Sequence, residues 1–394
     1  MYQGAFGTTP RSVPTDSATT ADPARAGTAP RPFRQSRSLD GVRALAILLV
    51  LGYHMAASSL KAGYVGVDVF FVLSGFLITT LLIGERAVTG AISIPSFYAR
   101  RALRLFPALA VAIVLAVVMA TTFATKDMGR STIKGLPWVV FYASDFAESG
   151  SSHANLGLLG HTWSLAIEEQ FYFVWPWVLI FFCRARRRLG IVAAALALLS
   201  VLDMLWSTHL ALTAGHDRAY FSLDGHAMGL LGGAALALVW SRAPEWRLTS
   251  ATKRLLQAIG AASVVGILLA ALLFTAAANQ VTLAISVSTI LTVLLIPVLL
   301  GVPEGPVHSL FSSRPAVWIG KRSYGLYLYN QIVFYTFVPL KPHSKVVDVM
   351  CLIATFVIAA LSYKFVEQPF LRRKERFAAK SVSAERRGSV VPQG

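Results

Sequence analysis

The chain has 394 residues and a net charge of +17 at pH 7, yet only 14% of its residues are charged and 55% are hydrophobic. Soluble domains carry about 25% charged residues, so this composition excludes a soluble globular protein, and the mean hydropathy of +0.60 agrees. Because most basic residues lie in short loops between apolar runs, as in cytoplasmic membrane loops, the positive charge predicts a lipid bilayer as partner and no nucleic acid.

Ten apolar segments follow a polar N-terminal arm. The arm, residues 1–36, is rich in Ser, Thr, Pro, Ala and Arg without an apolar stretch, so we predict disorder there and a basic cytoplasmic tail at 371–394. Most apolar segments approach the ~20 residues that a helix needs to cross a bilayer. They cover residues 44–60, 64–84, 102–124, 165–183, 189–207, 222–241, 254–275, 282–301, 319–339 and 346–363. We therefore predict an all-α fold, a polytopic membrane bundle of about ten transmembrane helices within residues 37–370.

An eleventh apolar segment, 133–146, is short and contains Pro137. If it does not span, the cytoplasmic loops hold about twice as many Lys and Arg residues as the external loops. If it spans, the basic stretch 184–188 and the tail both lie outside, against the positive-inside rule. We therefore predict that both termini are cytoplasmic and that this segment lies on, or dips into, the outer face.

Arg43 and His54 bracket the first apolar segment, "RALAILLVLGYH". Eleven residues make about three helical turns and a rise of about 16.5 Å, so both side chains lie on one helix face. An arginine suits phosphate groups and a histidine suits proton transfer, so acyl-CoA, with its phosphates and its distant thioester, would span them. The alternative is an arginine that reaches the lipid headgroups and a buried structural histidine.

The second segment, "YVGVDVFFVLSGFLIT", places Asp68 and Ser74 inside the membrane. A carboxylate there can orient and stabilise a histidine, which makes Asp68 a candidate partner of His54. The alternative for Asp68 is an interaction with the dipole of its own helix. For Ser74 and Gly75 we favour close helix packing through small residues.

The third segment begins with "FYARRALRLFPAL", in which Arg101 and Arg104 lie three residues apart on one helix face, with Arg100 alongside. Guanidinium groups on the same side of the membrane as Arg43 form a candidate anion clamp. The positive-inside rule explains such a cluster equally well.

The fourth segment, "HTWSLAIEEQFYFVWPW", carries a polar stripe at helical spacing: His161, Ser164, Glu168, Tyr172 and Trp175. A carboxylate inside an apolar span is rare and usually faces a cavity. We therefore expect Glu168 to act in a site that it shares with His54 and Asp68 in the outer half of the bundle. There a general base and its partners would face an acceptor hydroxyl.

Six segments together resemble the membrane acyltransferase 3 family of bacterial integral membrane O-acyltransferases. They are "SLDGVRALAILLVLGYH", "GVDVFFVLSGFLIT", "FYARRALRLFPAL", "HTWSLAIEEQFYFVWPW", "GKRSYGLYLYN" and "VEQPF". The family motif of a basic residue, ten residues and a histidine falls on Arg43 and His54. Its RxxR motif falls on Arg101 and Arg104, and its WSLxxE motif ends at Glu168.

The resemblance implies transfer of an acyl group, usually acetyl, from cytoplasmic acyl-CoA to a hydroxyl of a saccharide or of a glycosylated small molecule such as a macrolide. Arg43, Arg101 and Arg104 would bind the CoA phosphates. His54 would be the general base, with Asp68 and Glu168 tuning it. We expect no metal, because Cys183 and Cys351 lie far apart and show no ligand spacing. The bacterial plasma membrane is the expected location.

Two departures and one alternative accompany this interpretation. Asn330 stands where the family often has histidine, so we assign it no catalytic role. Many relatives carry a fused esterase-like domain, whereas only 24 residues follow Phe370, which predicts the stand-alone form. The competing function is a proton-coupled transporter or flippase for a lipid-linked sugar or acyl carrier, since buried ionisable residues also serve transport. Against it, the sequence shows no internal repeat with paired broken helices.

Overall fold

The structure is a computed structural model that describes residues 36–55, 60–150, 155–182, 188–242, 248–340 and 344–372. Its regular structure in these ranges is helical. The α-helices are α1 (Arg37–His54), α2 (Gly66–Thr89), α3 (Ile94–Thr122), α4 (Lys126–Val140), α5 (Ser144–Ser149), α6 (Trp163–Phe182), α7 (Leu189–Thr213), α8 (His216–Tyr220), α9 (Leu223–Trp240), α10 (Ser250–Leu273), α11 (Ala278–Gly301), α12 (Pro306–Phe311), α13 (Arg314–Phe337) and α14 (Lys345–Ser362).

Within the described residues, each of the ten predicted apolar segments overlaps one of the long helices. Within the described ranges, eight helical segments are long and apolar enough to cross a membrane. The all-α, polytopic membrane fold is therefore confirmed. The long helices α1 and α13 fall outside this group of eight because charged and polar side chains interrupt them, yet both are extensively buried in the bundle.

Glycines bring two helix pairs into backbone contact. A Cβ atom on Gly320 of α13 would lie 1.7 Å from the Asp40 carbonyl oxygen of α1, and one on Gly75 of α2 would lie 2.0 Å from the Leu230 carbonyl oxygen of α9. Only a residue without a side chain permits this approach, which is the usual way that membrane helices pack closely. The packing role expected for Gly75 is thus confirmed, and the neighbouring Ser74 faces a cavity instead.

Helix α4 lies antiparallel to α3, so the chain passes from the end of α3 back into the interior of the bundle. Gly129 packs against the Ala120 carbonyl near the end of α3, whereas the Tyr142 ring, just after α4, lies 6.2 Å from the Phe106 ring. Ala120 and Phe106 are about 21 Å apart along a helix axis. Gln170 of α6 then donates to the Tyr142 carbonyl at 3.1 Å. The segment predicted at 133–146 therefore dips between the helices, and its helix begins earlier, at Lys126.

Arg43 and His54 distinguish the two ends of the bundle. The arginine end contains Arg43 and the last turn of α2, and the histidine end contains His54 and the first turn of α2. The predicted arm up to residue 35, the stretch 183–187 and the tail beyond residue 372 lie outside the described residues.

We predict that the arginine end faces the cytoplasm. Val88 in the last turn of α2 is 74% exposed, and Lys61 is exposed just before the same helix. In a chain without native cysteines, an impermeant maleimide should label Lys61→Cys in intact cells and Val88→Cys only after permeabilisation, because α2 separates the two positions. If only Val88→Cys is labelled in intact cells, the orientation is the opposite one and the arginine end faces outward.

Candidate active site

A cavity of about 560 Å³ lies between α1, α2, α3, α6 and α13. Ser36, Thr89 and Ser93 line it near the arginine end, and Val67 and Tyr327 line it farther inside. The cavity follows α2 from Thr89 to Val67, a distance of about 33 Å by the helical rise. Its volume is within the range of about 300–1,000 Å³ that is usual for ligand sites. The cavity is therefore long and narrow, which suits an extended ligand.

Four arginine side chains line this cavity: Arg43, Arg100, Arg101 and Arg104. Three of them form ion pairs with carboxylates: Arg43 with Asp40 at 3.1 Å, Arg100 with Glu85 at 2.7 Å and Arg101 with Glu169 at 3.1 Å. Arg104 makes neither an ion pair nor a side-chain hydrogen bond among the described residues. Its guanidinium is therefore the group best placed to bind an anion, because no carboxylate has to be displaced.

Glu168 belongs to the same charged wall. The hydroxyl groups of Ser74 and Tyr172 both donate hydrogen bonds to Glu168, so the carboxylate acts as an acceptor. The Arg101 guanidinium lies 3.3 Å above the centre of the Tyr172 ring, a cation–π contact. The expectation that Glu168 sits beside His54 does not match these contacts, because it lines the cavity with the arginines instead.

Two hydroxyl groups line the inner part of the cavity, away from the arginine end. The Tyr327 and Ser164 hydroxyls are 2.5 Å apart, and Tyr327 also donates to the His161 carbonyl at 2.8 Å. The His161 ring packs edge-on against the Tyr327 ring at 5.3 Å. Since His161 and His54 do not line the cavity, Ser164 and Tyr327 form a layer between it and the His161 ring. Ser164 and Tyr327 together are the closing layer of the cavity.

His54 occupies the end of α1 with one ring nitrogen fixed. Its Nδ1 lies 2.8 Å from the Val50 carbonyl oxygen. A carbonyl only accepts, so Nδ1 carries the proton and the Nε2 lone pair of the neutral ring is free to accept one. Tyr53 and Tyr335 pack beside the ring, at 5.5 and 6.0 Å. The geometry suits a general base held by the backbone.

Asp68 binds a different histidine from the one expected. Its Oδ1 lies 2.8 Å from Nδ1 of His226, and Nε2 of His226 donates to the Tyr220 carbonyl at 2.7 Å. Both side chains are fully buried. The pairing of Asp68 with His54 is therefore not found, because the Asp68 side of α2 packs on α9 and not on the end of α1.

The structure thus divides the predicted site residues into three groups. Arg43, Arg101, Arg104 and Glu168 meet at one cavity, and His54 lies at the end of α1 without lining it. Asp68 belongs to the buried pair with His226. The sequence interpretation assigned no role to Tyr327, His226 or the His161 ring. For His161 the available signal was the helical stripe that joins it to Ser164, Glu168 and Tyr172.

The eight long apolar helices and the arginine-lined cavity between them define an integral membrane protein with a polar site inside its bundle. Residues 36–364 match the family model described as an acyltransferase domain. The chain belongs to this family, acyltransferase 3, and the resemblance read from its motifs is confirmed.

Curated relatives agree with this assignment. The chain is 34% identical over 358 residues to the peptidoglycan O-acetyltransferase OatA of Listeria monocytogenes, which covers 86% of this chain and 56% of that protein. A putative O-acetyltransferase of Staphylococcus aureus is 33% identical over 92% of this chain and 60% of its own length. A putative peptidoglycan O-acetyltransferase of Bacillus subtilis, YrhL, is 33% identical over 84% and 54%. The chain thus spans little more than half the length of these relatives. No solved structure matches it.

Proposed function

We propose that this chain is a bacterial plasma-membrane O-acetyltransferase that moves an acetyl group from cytoplasmic acetyl-CoA to a hydroxyl of an external saccharide. The observation that carries the proposal is the cavity that leads from the arginines to the closing layer, together with the backbone-held His54 at the end of α1. We assign the activity to residues 37–370, between the N-terminal arm 1–36 and the basic tail 371–394.

The donor enters from the arginine end in this proposal. Arg104 binds a CoA phosphate directly, and Arg43 and Arg101 offer the N–H groups that their own carboxylates leave unused. Guanidinium groups bind phosphate through paired, charge-assisted hydrogen bonds. Arg43 and His54 are about 16.5 Å apart along α1, which the extended pantetheine arm bridges. The thioester then lies at the closing layer, where the Ser164 hydroxyl can turn from Tyr327 and donate to its carbonyl oxygen, while Tyr327 keeps its hydrogen bond to the His161 carbonyl.

The acceptor approaches from the histidine end. Nε2 of His54 takes the proton of the acceptor hydroxyl as its oxygen attacks the thioester carbon. The new C–O bond forms, the C–S bond breaks, and CoA leaves toward the arginine end. Glu168 holds the Ser74 and Tyr172 hydroxyls beside Arg101, so in this mechanism it shapes the donor cavity and acts on His54 only at a distance. Asp68 stabilises the helices around the closing layer through His226.

The acceptor class rests on the relatives. Two of them are named for peptidoglycan, which favours a cell-envelope saccharide over a glycosylated natural product such as a macrolide. The test is transfer of radiolabelled acetyl from acetyl-CoA by the purified protein in lipid nanodiscs, with a β-1,4-linked N-acetylglucosamine tetramer as acceptor. We expect labelled tetramer and an equal amount of free CoA. Movement of either compound across proteoliposomes without ester formation would support the transporter instead.

Arg104→Ala should weaken acetyl-CoA binding about 5- to 150-fold, the range for loss of 1–3 kcal/mol of charge-assisted contact. The reason is that Arg104 has no carboxylate partner among the described residues, so its charge is available to the donor phosphates. Isothermal titration with acetyl-CoA measures the effect.

Two controls separate phosphate binding from general damage. Arg100→Ala removes a guanidinium of the same cavity that Glu85 already neutralises, so it should change the affinity less than Arg104→Ala does. S-acetyl-N-acetylcysteamine, a donor without phosphates, should serve wild type and Arg104→Ala at similar rates. If wild type and Arg104→Ala have equal affinity for acetyl-CoA, the arginines do not bind the donor, and the positive-inside rule alone explains the cluster.

A further inference from the structure

Two tyrosine rings contact the His54 ring at the histidine end of the bundle. The Tyr53 ring lies edge-on to it with the ring centres 5.5 Å apart, and the Tyr335 ring lies 6.0 Å from it at an angle of 55°. Tyr53 is 39% exposed and Tyr335 is 40% exposed, whereas His54 is half-buried. The open surface next to the backbone-held imidazole is therefore partly aromatic.

Neighbouring side chains hold both tyrosines in place. Tyr53 also contacts the buried Tyr64 ring edge-on at 5.6 Å, and the Tyr64 hydroxyl donates to the Thr275 carbonyl at 3.0 Å. Tyr335 lies near the end of α13, and the preceding residue, Phe334, is fully buried. A ligand that packs on rings already fixed in this way loses less of its binding free energy to the ordering of side chains.

The hydroxyl groups of these two tyrosines differ from those deeper in the bundle. The Tyr64, Tyr324 and Tyr327 hydroxyls donate to backbone carbonyls, as buried phenols usually do. Tyr53 and Tyr335 make ring contacts but no side-chain hydrogen bond among the described residues. Each of them therefore presents an aromatic ring and a hydroxyl group beside His54.

Tyrosines at helix ends often belong to the aromatic belt of a membrane–water interface. Phe123, at the end of α3, shows what such a ring looks like in this protein. It is 55% exposed and packs on Phe337 at 6.0 Å. Tyr53 and Tyr335 differ from it because both contact the ring that takes the acceptor proton in the proposed mechanism.

We propose that Tyr53 and Tyr335 form the acceptor subsite, which binds one sugar ring of the saccharide and directs a hydroxyl group of that ring to Nε2 of His54. This inference rests on the proposed function. A sugar ring has apolar C–H faces and a rim of hydroxyl groups, and tyrosine matches both with an apolar ring and a polar tip. Proton transfer needs the hydroxyl within about 2.6–3.2 Å of the base, so a sugar held in this position reacts faster than a mobile one.

Direct binding of the N-acetylglucosamine tetramer tests the subsite. Isothermal titration of the tetramer into the protein in nanodiscs should give a Kd that rises about 10-fold for Tyr53→Leu and for Tyr335→Leu, because each variant loses one aromatic contact. In the transfer assay, KM for the tetramer should rise to a similar extent while kcat stays within about 3-fold of wild type, since the base and the donor cavity are unchanged. The affinity for acetyl-CoA should remain that of wild type.

Phe123→Leu is the matched control, because it removes an exposed ring at the same end of the bundle. Its Kd for the tetramer should equal that of wild type. If a leucine variant does not fold, 3-fluorotyrosine at position 53 or 335 keeps the ring and reports on binding directly. Addition of the tetramer should then shift the fluorine resonance, and an unchanged resonance would overturn the subsite.

The failure of the subsite and the failure of the proposed function give different results. If wild type does not bind the tetramer, or if both leucine variants bind it as tightly as wild type, the subsite is wrong. Transfer of acetyl by wild type in that case leaves the proposed function standing, and the two tyrosines belong to the aromatic belt. If tetramer binding depends on both tyrosines but no acetyl is transferred, the subsite stands and the proposed function fails.

Discussion

Replacing His54 with alanine is expected to abolish acetyl transfer and leave acetyl-CoA binding intact. General-base catalysis contributes roughly 10²–10⁴-fold, so the rate should fall at least that far. Binding should survive because His54 lies about 16.5 Å along α1 from Arg43 and does not line the donor cavity. Single-turnover transfer and titration of acetyl-CoA into the same preparation measure the two quantities separately.

Two further variants test whether the loss comes from the missing base. His54→Gln keeps a polar side chain of similar size but removes the base, so it should be as inactive as His54→Ala. Arg43→Ala should show the opposite profile, with weaker donor binding, because the guanidinium lines the cavity. If His54→Ala retains wild-type turnover, the mechanism is wrong, and His54 is a structural histidine held by the Val50 carbonyl.

Asp68→Ala should lower the free energy of unfolding by about 3–5 kcal/mol, the usual cost of removing one partner of a buried ion pair. The change leaves His226 fully buried without its carboxylate. Unfolding in mixed micelles, followed by tryptophan fluorescence, measures the loss. The double variant Asp68→Ala with His226→Phe should recover part of it, because no polar ring then remains without its partner.

The same position tests the role expected from the sequence. Asp68→Asn keeps the shape of the side chain, so a packing role predicts a modest loss of stability and a nearly unchanged transfer rate. A fall in transfer rate at unchanged stability would instead support a direct effect of Asp68 on His54. The geometry favours the first outcome, since the carboxylate is 2.8 Å from His226.

The helical periodicity and the hydropathy of the sequence predicted where the helices lie and that Arg43 and His54 share one face. Both predictions succeed because each concerns a single helix and needs no knowledge of its neighbours. Partner choice between helices was harder to predict. The helical rise along α2 gives the depth of Asp68 in the membrane but not which neighbouring helix its side chain faces. The close glycine contacts between α2 and α9 place Asp68 against His226. Glu168 shows the same limit, since its partner Tyr172 follows from i, i+4 spacing and its partner Ser74 does not.

The sequence predicted the α4–α5 segment only in part, for a similar reason. Its apolar core, 133–146, stood out, but its start at Lys126 depends on Thr125, whose side chain accepts from the Met128 amide. His161 was visible as a member of a stripe. Its ring contact with Tyr327 of α13 was not, because no local pattern contains it.

The closing layer has a consequence for the energy supply of the cell. A continuous wet passage through a membrane protein would let ions run down the electrochemical gradient that drives ATP synthesis. Ser164 and Tyr327, 2.5 Å apart, interrupt the passage with two uncharged hydroxyls between the donor cavity and the His161 ring. In the proposed mechanism, an uncharged acetyl group crosses such a barrier by bonding to one atom after another, whereas a hydrated sodium ion has no comparable route. In the proposed mechanism, the protein would thus move a chemical group from one compartment to the other without opening a passage for ions.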